Sequence, residues 1–414
     1  MKHAVEAIRL FKLLNRDQRN TFVACFLGWA LDAFDFFLLT FVIVPMAHDF
    51  GTSVADLTYA ITITLAMRPM GAFIFGLLGD RFGRRIPLMI DIIFYSLMEL
   101  LTAFSPNYTV LLIFRALYGI GMGGEWGLGA SLAMETLPTQ ARGLFSGVLQ
   151  QGYAFGYLLA AIVYWMVFPF FGWRGLFVAG ALPAVLVLYI RARVPESPVW
   201  LRQRHEMGDF WRQLLIVLKR HWGLFLYVIL LMTAFNAMSH GTQDMYQTFL
   251  GEQRHYGVPQ KAATGIIYAF GAICGGTVVG HLSQKWGRRR SIVLCCVLGI
   301  VLIPLWVFSP GYTLLVIGGF AMQFMVQGAW GIVPVHLNEL APDAVRGTFP
   351  GFAYQLGNLF AANTAVVEAQ LARHFHNASG HSDYAKALGL FTLVIFVVLI
   401  LLAAVGPEKR GKEF

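Results

Sequence analysis

Charge is scarce in this chain. Only 13% of its 414 residues are Asp, Glu, Lys or Arg, against 57% hydrophobic, too few for the surface of a soluble globule and too much apolar sequence for one core. Cysteine is scarcer still. Cys25, Cys274, Cys295 and Cys296 all sit within apolar stretches, which excludes a disulfide framework and leaves them as packing residues. Metal-ligand spacings, a phosphate-cradling glycine loop and a nucleotide-binding cassette are also missing. No metal, cofactor or ATP motor is therefore expected, nor an enzyme's reaction centre, and any concentrative process must draw on an ion gradient. The histidines group only at His374, His376 and His381, in a loop read as solvated.

Long apolar runs are what the chain has instead. Twelve can be counted, near residues 21–47, 56–79, 86–104, 108–133, 143–167, 174–192, 223–250, 262–284, 291–308, 312–337, 348–371 and 387–405, most approaching the roughly 20 residues that cross a bilayer as a helix. The expectation is an all-α, multi-pass membrane protein of twelve transmembrane helices. The first run begins after Asn20 and is too long and too interrupted by acids for a cleaved signal sequence. Most of the 31 lysines and arginines fall in the N-terminal segment, the C-terminal tail and the loops after even-numbered spans. The opposite loops hold only Arg174, Arg254, Lys261, Arg373 and Lys386. Positive charge marks the cytoplasmic side, so both termini are expected in the cytoplasm, with the chain in the cell membrane, an inner membrane where there are two. The net charge of +9 thus reports topology, and nucleic acid is not an expected partner.

The two halves repeat at a fixed offset of about 204 residues. Gly76, Gly83, Arg84 and Arg85 fall on Gly280, Gly287, Arg288 and Arg289; Ser105 and Pro106 on Ser309 and Pro310; Gly124, Trp126 and Gly127 on Gly328, Trp330 and Gly331; Glu135 and Arg142 on Glu339 and Arg346; Gln151 on Gln355. An even number of spans per half gives both halves the same orientation, related by an axis along the membrane normal. Residues 1–192 are read as one six-helix bundle, 193–220 as a cytoplasmic linker, and 221–414 as a second bundle. In the linker, Val194 to Pro198 breaks the helix, and Phe210, Trp211, Leu214 and Leu215 among Arg212, Lys219 and Arg220 suit a helix at the membrane surface.

Polar groups at membrane depth are the candidates for chemistry, because an ionised side chain there costs roughly 2.5–3.5 kcal/mol on insertion scales. Asn236, Ser239, His240, Gln243 and Gln247 form one stripe on the seventh span, flanked by Asp244. The repeat places Asp32 opposite Asn236 and Asp35 opposite Ser239, so both first helices carry polar residues at matching depths. Arg68 and Arg115 lie inside spans 2 and 4, suited to binding a carboxylate, or alternatively to neutralising Asp32, Asp35 or Glu125. Asp32 and Asp35 lie one turn apart, and spacing does not decide which titrates. Glu125 reads as a second proton site or as an acceptor for backbone exposed by its glycine neighbours. His240 binds a proton, a substrate or only Asp244. On span 11 Gln355 and Asn358 share a face, as do Gln323, Gln327 and Trp330 on span 10, where interhelical hydrogen bonding is the preferred reading.

GLLGDRFGRR, residues 76–85, and FRALYGIGMGG, residues 114–124, resemble the loop and span-4 signatures of the major facilitator superfamily. RPMGAFIFG and GIGMGGEWG are similar to its organic-acid branches, including the sialate and proton symporter family, and NAMSHGTQDMYQT at 236–248 resembles the motif of Jen-type lactate and pyruvate permeases. The second-half loop departs from the pattern with Gln284 in place of Asp80, which implies a weaker charge relay there. This resemblance implies a functional monomer that carries lactate or pyruvate with a proton. It implies proton coupling by Asp35 with Arg115, and substrate binding by Arg68 or Arg115 with Asn236, Ser239, His240, Gln243, Asp244, Gln355 and Asn358. It further implies a cytoplasmic latch of Asp80, Arg84, Arg85, Glu135 and Arg142. The alternatives are a larger acid such as sialate or an aromatic carboxylate, with Trp29, Trp126 and Trp330 lining a wider pocket, and, less well supported, a non-transporting sensor or a drug and proton antiporter.

Overall fold

The computed structural model describes residues 10, 12–57, 59–203, 210–375 and 382–413. His376 and His381 lie outside them. Every long element is a helix. Spans 1 to 4 are Arg16–Asp49, Tyr59–Phe82, Arg85–Ala103 and Tyr108–Thr136. Arg142–Gln150 and Gly152–Ala179 form span 5 and then reverse into span 6 at Gly172, whose φ of 60° suits glycine, and Pro183–Arg193 completes span 6.

In the second half, spans 7 to 9 are Phe210–Gln243, Val258–Trp286 and Arg288–Val307, and span 12 is Tyr384–Val405. Span 10 comprises Tyr312–Trp330 and Val333–Leu340; span 11 comprises Phe349–Ala361 and Thr364–His374. Nine continuous stretches among the described residues are long and apolar enough to cross a bilayer, and one of them, Arg142–Arg193, contains two passes. Spans 4 and 11 complete the twelve. Their Arg115 and Glu125, and the Asn363 break with Glu368, make them less apolar than the others.

Small residues decide how closely these helices approach. A Cβ on Gly71 would overlap the carbonyl oxygen of Ile120, packing span 2 on span 4; one on Gly275 would overlap that of Phe324, packing span 8 on span 10. Gly71 with Ile120 and Gly275 with Phe324 are repeat mates, so the 204-residue periodicity is a periodicity of backbone contact. Each half also closes span 1 on span 5, span 7 on span 11, and span 9 on spans 10 and 12. The halves meet where span 2 and span 4 pack on span 11 and span 5 packs on span 8.

The structure departs from the expected span 7 in two places. Its helix begins at Phe210, so the linker helix runs into the span across a non-helical turn at His221 (φ −113°, ψ 16°). It ends at Gln243, followed by a short turn at Tyr246–Thr248 and a wider one at Phe249–Gln253. The Tyr268 hydroxyl donates to the Thr242 carbonyl beside this break. Gln247 lies past the break and does not continue the Asn236 stripe.

Candidate functional site

In the first half, the polar side chains converge between spans 1, 2, 3 and 4. Asp32, Asp35, Asp91, Glu99, Glu125 and Arg115 are fully buried, and Arg68 nearly so. Arg115 Nη1 lies 2.6 Å from Glu99 Oε2, and its guanidinium carbon sits 4.0 Å from the Tyr118 ring centre. The Thr64 hydroxyl donates to the Arg115 carbonyl at 3.1 Å, pinning span 4 to span 2. The expected pairing of Arg115 with Asp35 is therefore corrected. Glu99 reaches the guanidinium from span 3, while both Asp35 carboxylate oxygens are buried without a hydrogen-bond partner among the described residues. Asp35 remains close by, since Gly180 of span 6 is flanked by both Glu99 and Asp35.

Asp32 and Glu125 are likewise without hydrogen-bond partners among the described residues, as are Nε and Nη2 of Arg68. No hydrogen bond from glycine-rich backbone reaches Glu125 among the described residues, against one of its two expected roles; its carboxylate instead presses on Gly28 of span 1. Asp91 and Glu99 were not among the candidates. With Tyr95 they stand at i, i+4 and i+8 on span 3, and that spacing was the available signal within a run read as apolar.

In the second half, His240 Nδ1 lies 3.0 Å from Asp244 Oδ2 and Nε2 lies 3.2 Å from Asn358 Oδ1. Spans 7 and 11 are thereby joined at one imidazole. The His240 and Asp244 side chains are 36% and 41% exposed, unlike the sealed acids of the first half. Gln243 Nε2 donates to Ser239 Oγ at 3.1 Å and to Gln323 Oε1 at 3.2 Å, and Gln323 Nε2 donates to Thr242 Oγ1 at 3.2 Å. Span 10 thus braces the stripe by interhelical hydrogen bonds. Asn236 turns back on its own helix, its Nδ2 donating to the Met232 carbonyl at 2.8 Å. Gln355 is buried with neither amide atom bonded among the described residues.

Glu368 is a further buried acid missed in the sequence. Its carboxylate has no hydrogen-bond partner among the described residues and faces Gly241 of span 7. Span 2, which carries Arg68, packs on span 11 of the other half, so Arg68 lies on a helix of the seam between the two polar clusters. Trp126 and Trp330 pack on Tyr354, with ring centres 4.6 Å and 5.7 Å away, and Trp29 packs on Tyr153 at 5.4 Å. All three tryptophans are buried; they close the seam here instead of lining an open pocket.

The sequence pattern of the Major Facilitator Superfamily matches residues 25–365. The chain belongs to that superfamily. It is 32% identical over 97% of its length to a probable 4-methylmuconolactone transporter of Cupriavidus pinatubonensis, covering 93% of that protein. It is 30% identical over 95% of its length to a carboxylic acid transporter protein homolog of Saccharomyces cerevisiae, covering 69% of it. The sialic acid transporter NanX of Escherichia coli is 27% identical over 98% of this chain and 97% of its own. Among solved structures, the proton:xylose symporter XylE bound to 6-bromo-6-deoxy-D-glucose superposes with a TM-score of 0.74 at 19% identity, covering 96% of this chain and 97% of that one. These relatives are transporters, and this superfamily member is an integral membrane transporter and not an enzyme.

Its halves are bolted together at the end that carries the loop signatures. Asp80 of span 2 accepts from Gly347 N at 2.6 Å, Thr348 N at 3.0 Å and Thr348 Oγ1 at 2.7 Å, all across the seam. Arg84 bridges Asp80 at 3.2 Å and Glu135 at 3.0 Å, and Glu135 also accepts from Ser197 Oγ at 2.5 Å. Ser131 Oγ donates to the Arg346 carbonyl at 2.7 Å, and Ser146 Oγ to that of Gly331 at 2.8 Å.

Two expected latch residues donate to backbone carbonyls. Arg85 Nη2 donates to the Arg191 carbonyl at 2.6 Å; Arg142 donates to the carbonyls of Leu137 at 3.2 Å and Lys412 at 2.7 Å. Both arginines sit at helix starts, beside the carbonyls of Leu137 and Arg191 at the ends of spans 4 and 6. In the second half, Arg288 and Glu339 repeat the Arg84–Glu135 bridge at 3.0 Å. Among the described residues, Gln284, at the Asp80 position, makes one bond across the seam, to the Thr139 carbonyl at 3.0 Å, where Asp80 makes three.

Proposed function

We propose that this chain is a secondary active transporter carrying a small monocarboxylate such as lactate or pyruvate together with a proton by alternating access. The observation that carries the reading is His240, held between Asp244 and Asn358 on an accessible wall facing a half that buries more acids than arginines. In this account a carboxylate approaches His240 and Asn358 and is neutralised by Arg68 at the seam, with Gln355 supplying an amide. Arg115 is occupied by Glu99, which leaves Asp35 to accept the proton on one side and release it on the other. The proton gradient is the driving force, no cofactor takes part, the monomer is the functional unit, and the bolted end faces the cytoplasm with both termini. The bolted state is then the one open to the outside.

A larger organic acid is the second reading. It is favoured by relatives named for sialic acid and 4-methylmuconolactone, and by the Trp126–Tyr354–Trp330 stack, which would widen the site if the seam parted. Uptake of labelled lactate into vesicles bearing the purified protein, with and without an inside-alkaline gradient, tests the first. Accumulation that ignores the gradient sinks proton coupling. Accumulation of sialate or benzoate but not lactate transfers the assignment to the second reading.

A further inference from the structure

Away from the seam, a cleft of about 870 Å³ opens on the protein surface between the start of span 9 and the end of span 12. Trp286, Arg289, Arg290, Val293, Val297 and Arg410 line it, among others. The repeat separates what is structural here from what is not. Glu196 accepts Arg84 N at 2.8 Å, and Glu408 accepts Arg288 N at 2.8 Å; Arg85 is tied to the Arg191 carbonyl and Arg289 to that of Ala403 at 2.7 Å. Both halves therefore use one acid and one arginine to fasten the same helix start. The Glu408 carboxylate is committed to backbone N–H groups at that start.

Arg290 and Arg410 go beyond this shared fastening. Arg290 stands where the first half has Ile86. It is exposed, and no bond to it is found among the described residues. Arg410 is also exposed and donates from Nη1 to the Lys285 carbonyl at 2.7 Å, which fixes it on the cleft wall. One and two turns along span 9 from Arg290, the wall changes to Val293, Leu294 and Val297. Leu294 and Val297 are 40% and 43% exposed, and Trp286 is 47% exposed at the rim. Cations at the mouth, an indole at the boundary and aliphatic side chains below follow the polarity profile of one leaflet.

We propose that this cleft binds an anionic phospholipid, its phosphate between Arg290 and Arg410 and an acyl chain along Val293, Leu294 and Val297. The site is independent of the transported solute. A basic residue near a membrane surface contributes about 5-fold in affinity for an anionic lipid, so losing two predicts a drop of about 25-fold.

The test titrates the delipidated full chain in detergent with phosphatidylglycerol or phosphatidylcholine of equal chain length, read by native mass spectrometry and by the thermal shift. Wild type should retain phosphatidylglycerol in preference, and R290Q/R410Q should lose that preference while its lipid-free Tm stays unchanged. R290K/R410K, which keeps the charge, should recover most of it. Equal retention of both lipids by wild type overturns the proposal, as does undiminished preference in R290Q/R410Q. A thermal shift reproduced by inorganic phosphate alone would assign the arginines to a soluble anion and overturn the lipid. Vesicle uptake plays no part in this readout, so failure here leaves the transport reading untouched.

Discussion

Arg115 and Glu99 form a salt bridge of 2.6 Å between spans 4 and 3, with both side chains wholly withdrawn from solvent. Removing one partner of such a pair strands a charge in a medium of low polarity, at a cost of about 3–5 kcal/mol. E99Q should therefore lower the thermal midpoint clearly, and E99Q/R115Q should recover most of the loss because no bare charge remains. Thermal denaturation of the purified variants checks this. Equal damage in the single and double variants would mean that the pair is not a coupled unit.

Asp35 has a different part from Glu99 in the proposed cycle, although both flank Gly180. Neither of its carboxylate oxygens has a hydrogen-bond partner among the described residues, and in the proposed cycle it is the group that loads the proton. D35N should abolish accumulation of substrate driven by a pH gradient while leaving exchange of labelled for unlabelled substrate largely intact. Acidifying the outside should speed net uptake by wild type and not by D35N. Gradient-driven accumulation persisting in D35N would move the proton to Asp32, Glu125 or Glu368.

The repeat carried much of the architecture in readable form. The 204-residue offset maps Arg84 and Glu135 onto Arg288 and Glu339, and both pairs form bridges; Asp80 lies in the GLLGDRFGRR segment. What it did not contain was the choice of partner. Arg115 could face span 1 or span 3, and only the packing of spans 3 and 4 turns it to Glu99. The polar stripe of span 7 was legible through Gln243. Its continuation to Gln247 was not, because the break after Gln243 lies beside a bond from Tyr268, a residue distant in sequence.

His240 is partly exposed in the second half's polar cluster and reaches Asp244 and Asn358 at once. A hydrogen bond to a charged group is worth about 1.5–3 kcal/mol, so H240A should raise KM by 10-fold or more with little change in Tm. N358A should raise KM less, since His240 keeps Asp244. Competition uptake curves at fixed pH decide this. An unchanged KM in H240A would leave the imidazole as an internal brace only.

Asp80 holds the seam through three bonds to Gly347 and Thr348, two of them from backbone N–H groups to a carboxylate. D80N should weaken the seam and shift the population toward the state open at that end. Labelling of a cysteine in place of Gln151, a buried and larger side chain that abuts Gly276 across the seam, reports the opening. Its labelling rate should rise several-fold in D80N relative to the same cysteine in the parent. No rise would assign the bolt to the Ser131–Arg346 and Ser146–Gly331 bonds instead.

Gly71 and Gly275 test whether close backbone approach, and not helix propensity, sets the bundle geometry. A Cβ at either would collide with a backbone carbonyl, of Ile120 or of Phe324, which cannot swing aside as a side chain can, whereas one at Gly223 meets nothing within 4 Å. G71A and G275A should each cost about 1–3 kcal/mol by overpacking. G223A should be neutral or gain about 0.5–1 kcal/mol, the ordinary benefit of alanine over glycine in a helix. The predicted signs are opposite for the same substitution, so the three thermal midpoints separate the effects without reference to transport. Midpoints that fell equally in all three, or that rose in G71A, would mean that spans 2 and 4 tolerate a wider spacing than the one seen.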